Sequence, residues 1–401
     1  MKVKTLENGF RIYTFNKPGY LTKQAMIAVK FGSDIPGFYD ENVYYKIPLG
    51  TAHFIEHKMF ASEDGGYIEK FVKNSAYANA YTSFDITAYY FTCCENFYEN
   101  LSLLCQMVST VYFTEEGIKS ESSIIEKEIN MYRDNIRWKC YFTLLKQMYG
   151  NTPVSSFIAG TENEIAGITP DIMQKCFEHF YRPDNMALII AGDIDDNKVF
   201  DVVSKKIGFR SSEYPVIDFS ETEETGEKYV FTNANIKLPM FYIGMKYLPR
   251  DLTTEDIVKT NLYLELTAGD FSEIYEKLLN KKLIEDALSY EYLKGAYYNA
   301  AFISGMSQFP DEVFELIKEE LADKVFNADA ENLSLAVKKL KGRFLMQQDD
   351  INALCCTAAD CFVKNIDYLD ICNLYDKIEK ENNFSYNGTE EIFLSVIGGK
   401  R

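Results

Sequence analysis

Thr51–Phe60 reads TAHFIEHKMF and holds His53, Glu56 and His57 in the order H-x-x-E-H. The 401-residue chain has only three histidines; two are in this stretch and the third, His179, lies far downstream. On a helix, residues four apart lie one turn apart on the same face, so His53 and His57 stack, with Glu56 beside His57. Two neutral imidazoles at that spacing make half of a zinc site, and a neighbouring carboxylate can take a proton from a water at the metal. The order is that of H-E-x-x-H reversed. A helix with two half-buried histidines and a solvated glutamate would carry the same letters, so the rest of the chain has to decide.

The length exceeds one ordinary core, which sets an expectation of two domains of about 200 residues each. With 47% hydrophobic and 25% charged residues the composition is globular, and a net charge of −18 argues against a nucleic-acid or anionic-membrane partner. That charge suits basic or neutral peptides, though solubility alone accounts for it. The opening MKVKTLENGF carries no apolar signal-peptide core, and no apolar run nears the ~18 residues of a membrane helix. Nine cysteines without a C-x-x-C pair read as reduced thiols buried as small hydrophobes, and the expected location is cytoplasmic.

Periodicity sketches the order of elements. Lys2–Phe15 reads as a hairpin turning at Asn8-Gly9, Gln24–Phe31 as a strand, Phe38–Pro48 as a loop, and Tyr77–Cys93 as one or two strands. Phe97 to Tyr112 has helical spacing, and Thr114 is an N-cap candidate for a long helix running to Gly150. Thr169-Pro170 opens another helix, Asn185–Ala191 is a buried strand and Val199–Ile207 a short helix. Arg210–Glu227, rich in Ser, Pro, Glu, Thr and Gly, reads as the linker between domains 1–212 and 213–401. The second half repeats the mix. Strands are expected at Tyr229–Thr232, Pro239–Tyr247 and between Ala287 and Ser307. Helices are expected at Thr254–Leu266, at Phe271–Lys282 and from Pro310 through Val363. The chain closes on FLSVIGG (Phe393–Gly399), an echo of ALIIAGD (Ala187–Asp193) with Gly192 and Gly398 206 residues apart, which suggests a duplication. The expected fold class is α+β: two similar domains, each a mostly antiparallel sheet packed with helices. No histidine follows His179, so the second domain cannot repeat a two-histidine site.

A catalytic zinc needs a third protein ligand and one open position. Glu121–Asn130, ESSIIEKEIN, offers one on the expected long helix: Glu121 and Glu128 are seven apart and share a face, while Glu126 points elsewhere. Ile124, Ile125 and Ile129 give this helix an apolar side, and a carboxylate beside a buried face needs a partner such as a metal. An ordinary charged helix reads the same way.

On these residues the chain resembles the insulinase/pitrilysin family of inverted-motif zinc peptidases, and most of all its short bacterial two-domain members, which are similar to mitochondrial processing peptidase subunits. In that family H-x-x-E-H is followed by a helical glutamate ligand with another glutamate seven residues before it. Here Glu128 lies 71 residues after His57, and Glu121 lies seven before Glu128. The resemblance implies that His53, His57 and Glu128 bind zinc, that Glu56 is the general base, and that Glu121 orients the site from behind the ligands. Ala78-Asn79-Ala80-Tyr81-Thr82-Ser83, followed by Thr87, Tyr89 and Tyr90, resembles the family's edge strand. There the positions matching Asn79 and Ala80 pair with substrate backbone by β-augmentation. HFYRPDNMALIIAGD (His179–Asp193) resembles the segment closing the first domain, which makes His179 structural. The similarity is specific over the first half and vaguer over the second.

One departure stands out. Active members of the family hold substrate with an Arg and a Tyr, seven apart, from the other half of a clamshell. The matching stretch here, YEKLLNKKLIEDALSY (Tyr275–Tyr290), has Asn280 and Ala287 at those places. A homologous zinc-less partner supplying the pair is therefore expected, with a homodimer as the other arrangement. The implied function is a zinc metallo-endopeptidase acting on short or unfolded peptides, in maturation or processing. The alternatives are a non-catalytic binding or assembly subunit, and a zinc hydrolase with another substrate class. Sites of this His₂Glu type also accept other divalent metals.

Overall fold

A computed structural model describes residues 1–63, 65–208, 216–217, 225–321, 325–389 and 391–399. The first half runs β1 (Lys2–Thr5), β2 (Arg11–Asn16), β3 (Lys23–Val29), β4 (Gly37–Asp40), β5 (Val43–Lys46), α1 (Thr51–Met59), α2 (Tyr67–Lys73), β6 (Ala76–Thr82), β7 (Thr87–Cys93), α3 (Phe97–Met107), α4 (Glu115–Arg133), α5 (Ile136–Tyr149), α6 (Glu162–Ile165), α7 (Pro170–Phe180), β8 (Met186–Gly192), α8 (Asp196–Lys206) and β9 (Val216–Ile217). The second half runs β10 (Tyr229–Asn233), β11 (Met240–Lys246), α9 (Thr254–Ala268), α10 (Glu273–Asn280), β12 (Ser289–Lys294), β13 (Asn299–Met306), α11 (Pro310–Leu321), β14 (Val325–Asn327), α12 (Ala330–Gln347), α13 (Ile351–Val363), α14 (Asp370–Glu381), β15 (Ser385–Asn387) and β16 (Ile392–Gly398).

The chain forms two compact units. The first comprises Met1–Asn130, Phe157–Asp218 and Met346–Ile366. Its six-stranded sheet has the order β1-β2-β8-β3-β7-β6. β2 and β8 are parallel, and the other neighbours are antiparallel. β8 is buried at every residue, as its unbroken apolar run requires of a strand covered on both faces. Part of that cover is α13, which lies on β3 and β8. β6 forms the outer edge, in register with β7 from Ala76↔Cys93 to Thr82↔Thr87.

The second unit comprises Met131–Ser156, Phe219–Leu345 and Asp367–Arg401. Its five-stranded sheet has the order β10-β16-β11-β13-β12. β10 and β16 are parallel and the other neighbours antiparallel. These five strands repeat the order β2-β8-β3-β7-β6 of the first unit: β16, also buried throughout, stands where β8 stands, and β12 is the edge as β6 is. The echo between ALIIAGD and FLSVIGG is thus an echo of position. α5 lies on β11 and β16 just as α13 lies on β3 and β8. Relative to the halves 1–212 and 213–401, the two units have exchanged these helices.

Three expectations change. The long helix from Thr114 to Gly150 is two helices, because Asn135 accepts Trp138 N at 3.2 Å and so caps a new start after α4 has ended at Arg133. Phe38–Pro48 is not a plain loop: β4 and β5 pair as a hairpin, with Glu41 and Asn42 at φ of 47° and 69°, the left-handed values a two-residue hairpin turn needs. The helical pattern from Pro310 is interrupted by β14, which pairs with β15. Most of the linker reading at Arg210–Glu227 lies outside the described residues, although β9 within it pairs with β4. Among the described residues no helix is long and apolar enough to cross a membrane.

Candidate metal centre

Gly50 precedes α1 at a φ of 86°, and a Cβ there would lie 2.4 Å from Ala159 O. Gly160 faces it under the same restriction, its own Cβ position 2.4 Å from Leu49 O. Two turns meet backbone to backbone and fix where α1 begins. Every residue of α1 except His57 is buried, so this is a core helix rather than an amphipathic surface one. His53 and Glu56 are thereby held in apolar packing beside the fully covered Phe54 and Ile55.

α4 brings the carboxylates. Ile118, Ile125 and Ile129 form its buried stripe. Glu128 Oε1 lies 3.6 Å from His53 Nε2, and its Oε2 lies 3.6 Å from His57 Nε2. These gaps are too long for hydrogen bonds. They are close to the roughly 3.4 Å that separates two atoms bound to one tetrahedral ion at about 2.0–2.2 Å. One ligand atom from each of His53, His57 and Glu128 falls within 4.8 Å of the other two. Glu121 Oε1 meets His57 Nδ1 at 3.0 Å, which leaves Nε2 to face Glu128. Lys58 Nζ stands 3.7 Å from the other oxygen of Glu121.

Electrostatics suit a cation. Burial, helped by the neighbouring His57, pushes His53 down to about 3 and keeps it a neutral donor. Burial also opposes charge on His57, but the Glu121 bond and the carboxylates of Glu56, Glu121 and Glu128 outweigh it and hold this imidazole above its usual value. Glu56 is raised by burial, against the opposing Thr82 hydrogen bond and His57. Glu121 is held below the usual carboxylate range by its bond to His57, with burial working the other way. Two imidazoles and a carboxylate at this spacing fit zinc.

Glu56 Oε2 accepts a hydrogen bond from Thr82 Oγ1 at 2.7 Å. Thr82 is the last residue of β6, the edge strand that also carries Asn79 and Ala80. Asn79 Oδ1 accepts from Ala80 N at 2.9 Å, and Asn79 Nδ2 donates to the Tyr77 hydroxyl at 3.3 Å. The sequence places Thr82 in the edge strand but assigns it no role; the available signal was strand alternation, which puts it on the face of Ala80. His179 is turned toward Asp40 at 3.3 Å, packs on Phe38 and takes no part in the cluster. All nine cysteines are free thiols. Asn280 ends α10 and Ala287 lies just before β12, both exposed.

Residues 25–162 match the family model for Insulinase (Peptidase family M16), and residues 167–340 match that for the Peptidase M16 inactive domain. A Bacillus subtilis protein named as the uncharacterised zinc protease YmfH is 35% identical over 351 residues, which span 85% of this chain and 82% of that one. The chain belongs to peptidase family M16, the insulinase family. Zinc is its cofactor, in keeping with the names of these relatives and with the triad. The beta subunit of the Caenorhabditis elegans mitochondrial-processing peptidase is 26% identical over 389 residues, 88% of this chain and 78% of that one. Among solved structures, an M16-like peptidase from Alicyclobacillus acidocaldarius matches with a TM-score of 0.88 at 26% identity, covering 100% of this chain and 98% of that one. A protease from Helicobacter pylori shares the fold, with a TM-score of 0.77 at 18% identity over 99% of both chains.

The second unit of this M16 chain offers no metal cluster among the described residues. Its α9, β12 and α12 hold the places of α1, β6 and α4, and Glu265 on α9 is the buried carboxylate. Lys339 Nζ on α12 reaches Glu265 Oε1 at 2.7 Å, Arg343 stands 3.6 Å from Oε2, and the Tyr290 hydroxyl on β12 donates to Oε2. An ammonium takes the counter-charge role that a metal would take at the triad of the first unit.

Proposed function

We propose that this chain is a zinc metallo-endopeptidase that cleaves short or unfolded peptides in maturation or processing. The observation that carries the reading is the convergence of His53 Nε2, His57 Nε2 and Glu128, with Glu56 alongside and tied to an edge strand. When bound, zinc supplies a Lewis acid that acidifies water and polarises a peptide carbonyl. His53, His57 and Glu128 would hold it, and Glu121 fixes the His57 ring. Glu56 takes a proton from water as the water oxygen attacks the carbonyl carbon. It then delivers that proton to the amide nitrogen as the C–N bond breaks. The unpaired side of β6 is suited to receive an extended peptide at Asn79 and Ala80, so affinity comes from backbone pairing and sequence preference is weak.

Asn280 and Ala287 carry no side chain that could clamp a substrate as an Arg and a Tyr would. We therefore propose a homologous zinc-less partner, or failing that a second copy, that supplies such groups, and a cytoplasmic setting. The reading that competes is a non-catalytic binding or assembly subunit; the match of residues 167–340 to an inactive-domain model favours it. Digestion of a mixture of unstructured peptides, beside Glu56→Gln, separates the two. Cleavage by wild type alone supports the peptidase. Zinc-loaded protein inert both alone and with its co-purifying partner supports the subunit.

A further inference from the structure

We propose that Thr82 is a positioning residue that ties the Glu56 carboxylate to the strand receiving the peptide. The inference rests on the peptidase reading above. Glu56 is buried on a helix packed on all sides, but its side chain still has three torsions to fix. Among the described residues the hydrogen bond the structure gives it comes from Thr82, at 2.7 Å. That bond engages Oε2 and leaves Oε1 for the proton in transit. Thr82 is itself set by its strand: it pairs in register with Thr87, whose buried hydroxyl donates to Phe31 O at 2.8 Å, and Ser83 N closes the turn onto Ile86 O at 2.8 Å.

A hydroxyl on the edge strand also holds a buried helix carboxylate in the second unit, where Tyr290 donates to Glu265, although the hairpin register sets Tyr290 level with Ala78 rather than with Thr82. There Lys339 also grips the carboxylate. In the first unit no lysine among the described residues does so for Glu56, and Lys58 is directed at Glu121. Among the described residues the Thr82 hydroxyl is thus the hydrogen-bond donor that sets where the base sits. A peptide added to the open edge of β6 extends the ladder past Ala80 toward Thr82 and stiffens that end of the strand. Occupancy of the strand and orientation of the base become one event, so turnover gains from peptide length beyond what binding alone gives.

The test compares wild type, Thr82→Ser and Thr82→Val, each zinc-loaded and with any co-purifying partner, on a short peptide and on longer ones spanning β6. Thr82→Val is expected to lower kcat by roughly 10- to 100-fold with KM within about twofold, and to lose the rise of kcat with peptide length. Thr82→Ser is expected to keep kcat within about threefold of wild type. Unchanged kcat in Thr82→Val, or equal loss in both variants, overturns the proposal. Crystal structures of the zinc-loaded wild type and Thr82→Val decide it even where no peptide is cleaved, an outcome that would sink the peptidase reading instead. A Glu56 carboxylate released from its wild-type rotamer in Thr82→Val supports positioning, and an identical rotamer in both refutes it.

Discussion

Glu121 and His57 are joined by a 3.0 Å contact between Oε1 and Nδ1, and this contact decides which ring nitrogen of His57 faces Glu128. A ligand turned in advance loses little freedom when an ion arrives. Glu121→Gln is expected to weaken zinc binding by about 10- to 100-fold. Glu128→Ala, which removes a ligand, is expected to weaken it further. Competition against a chromophoric chelator measures both. Wild-type affinity in Glu128→Ala would remove that residue from the ligand set.

Glu56 touches none of the three ligand atoms at bonding distance, so its loss should spare the metal. Glu56→Gln is expected to keep one zinc per chain while peptide cleavage falls by at least about 10²- to 10⁴-fold. Metal analysis and single-turnover kinetics on one preparation check the pair of claims. Wild-type turnover in Glu56→Gln would falsify the assigned role.

Glu128 and Glu56 lie within electrostatic reach of each other, and chelation removes the cation that would offset their charges. Zinc at about 100 times its dissociation constant is expected to stabilise the first unit by about 2.7 kcal/mol, read as a rise in melting temperature. The shift should vanish in Glu128→Ala. Its persistence there would place the stabilising ion somewhere else.

In the second unit the side chain of Glu265 is 3% exposed and that of Lys339 19%. Lys339→Met is expected to destabilise that unit by about 2 kcal/mol or more, because a buried carboxylate loses its nearest cation while Arg343 remains. Glu265→Leu combined with Lys339→Met should recover much of the loss. Urea midpoints test this, and a double variant as weak as the single would show that packing, not charge, governs the cluster.

The metal motif was legible because helical spacing alone stacks His53 over His57. Glu121 and Glu128 needed the resemblance as well, since a charged helix with an isoleucine stripe has many ordinary uses. The β4–β5 hairpin was missed because Glu41 and Asn42 adopt backbone angles usually taken by Asn-Gly or Gly-Gly pairs. The break before α5 was readable in principle from Asn135, a residue that favours helix starts over helix interiors. The exchange of α5 and α13 was not readable, because the periodicity of a helix reports that one face is covered and not which sheet covers it.

That exchange bears on how such a protein can change over generations. A duplicated gene whose two products stayed separate could later shed one copy, or have it replaced, without harm to the other. Here each copy encodes a helix that closes the other copy's core. Deleting either half would strip the cover from a strand that is apolar on both faces. The second unit, though it has no metal cluster among the described residues, is thus retained by the needs of the first, and its surface is left free to diverge.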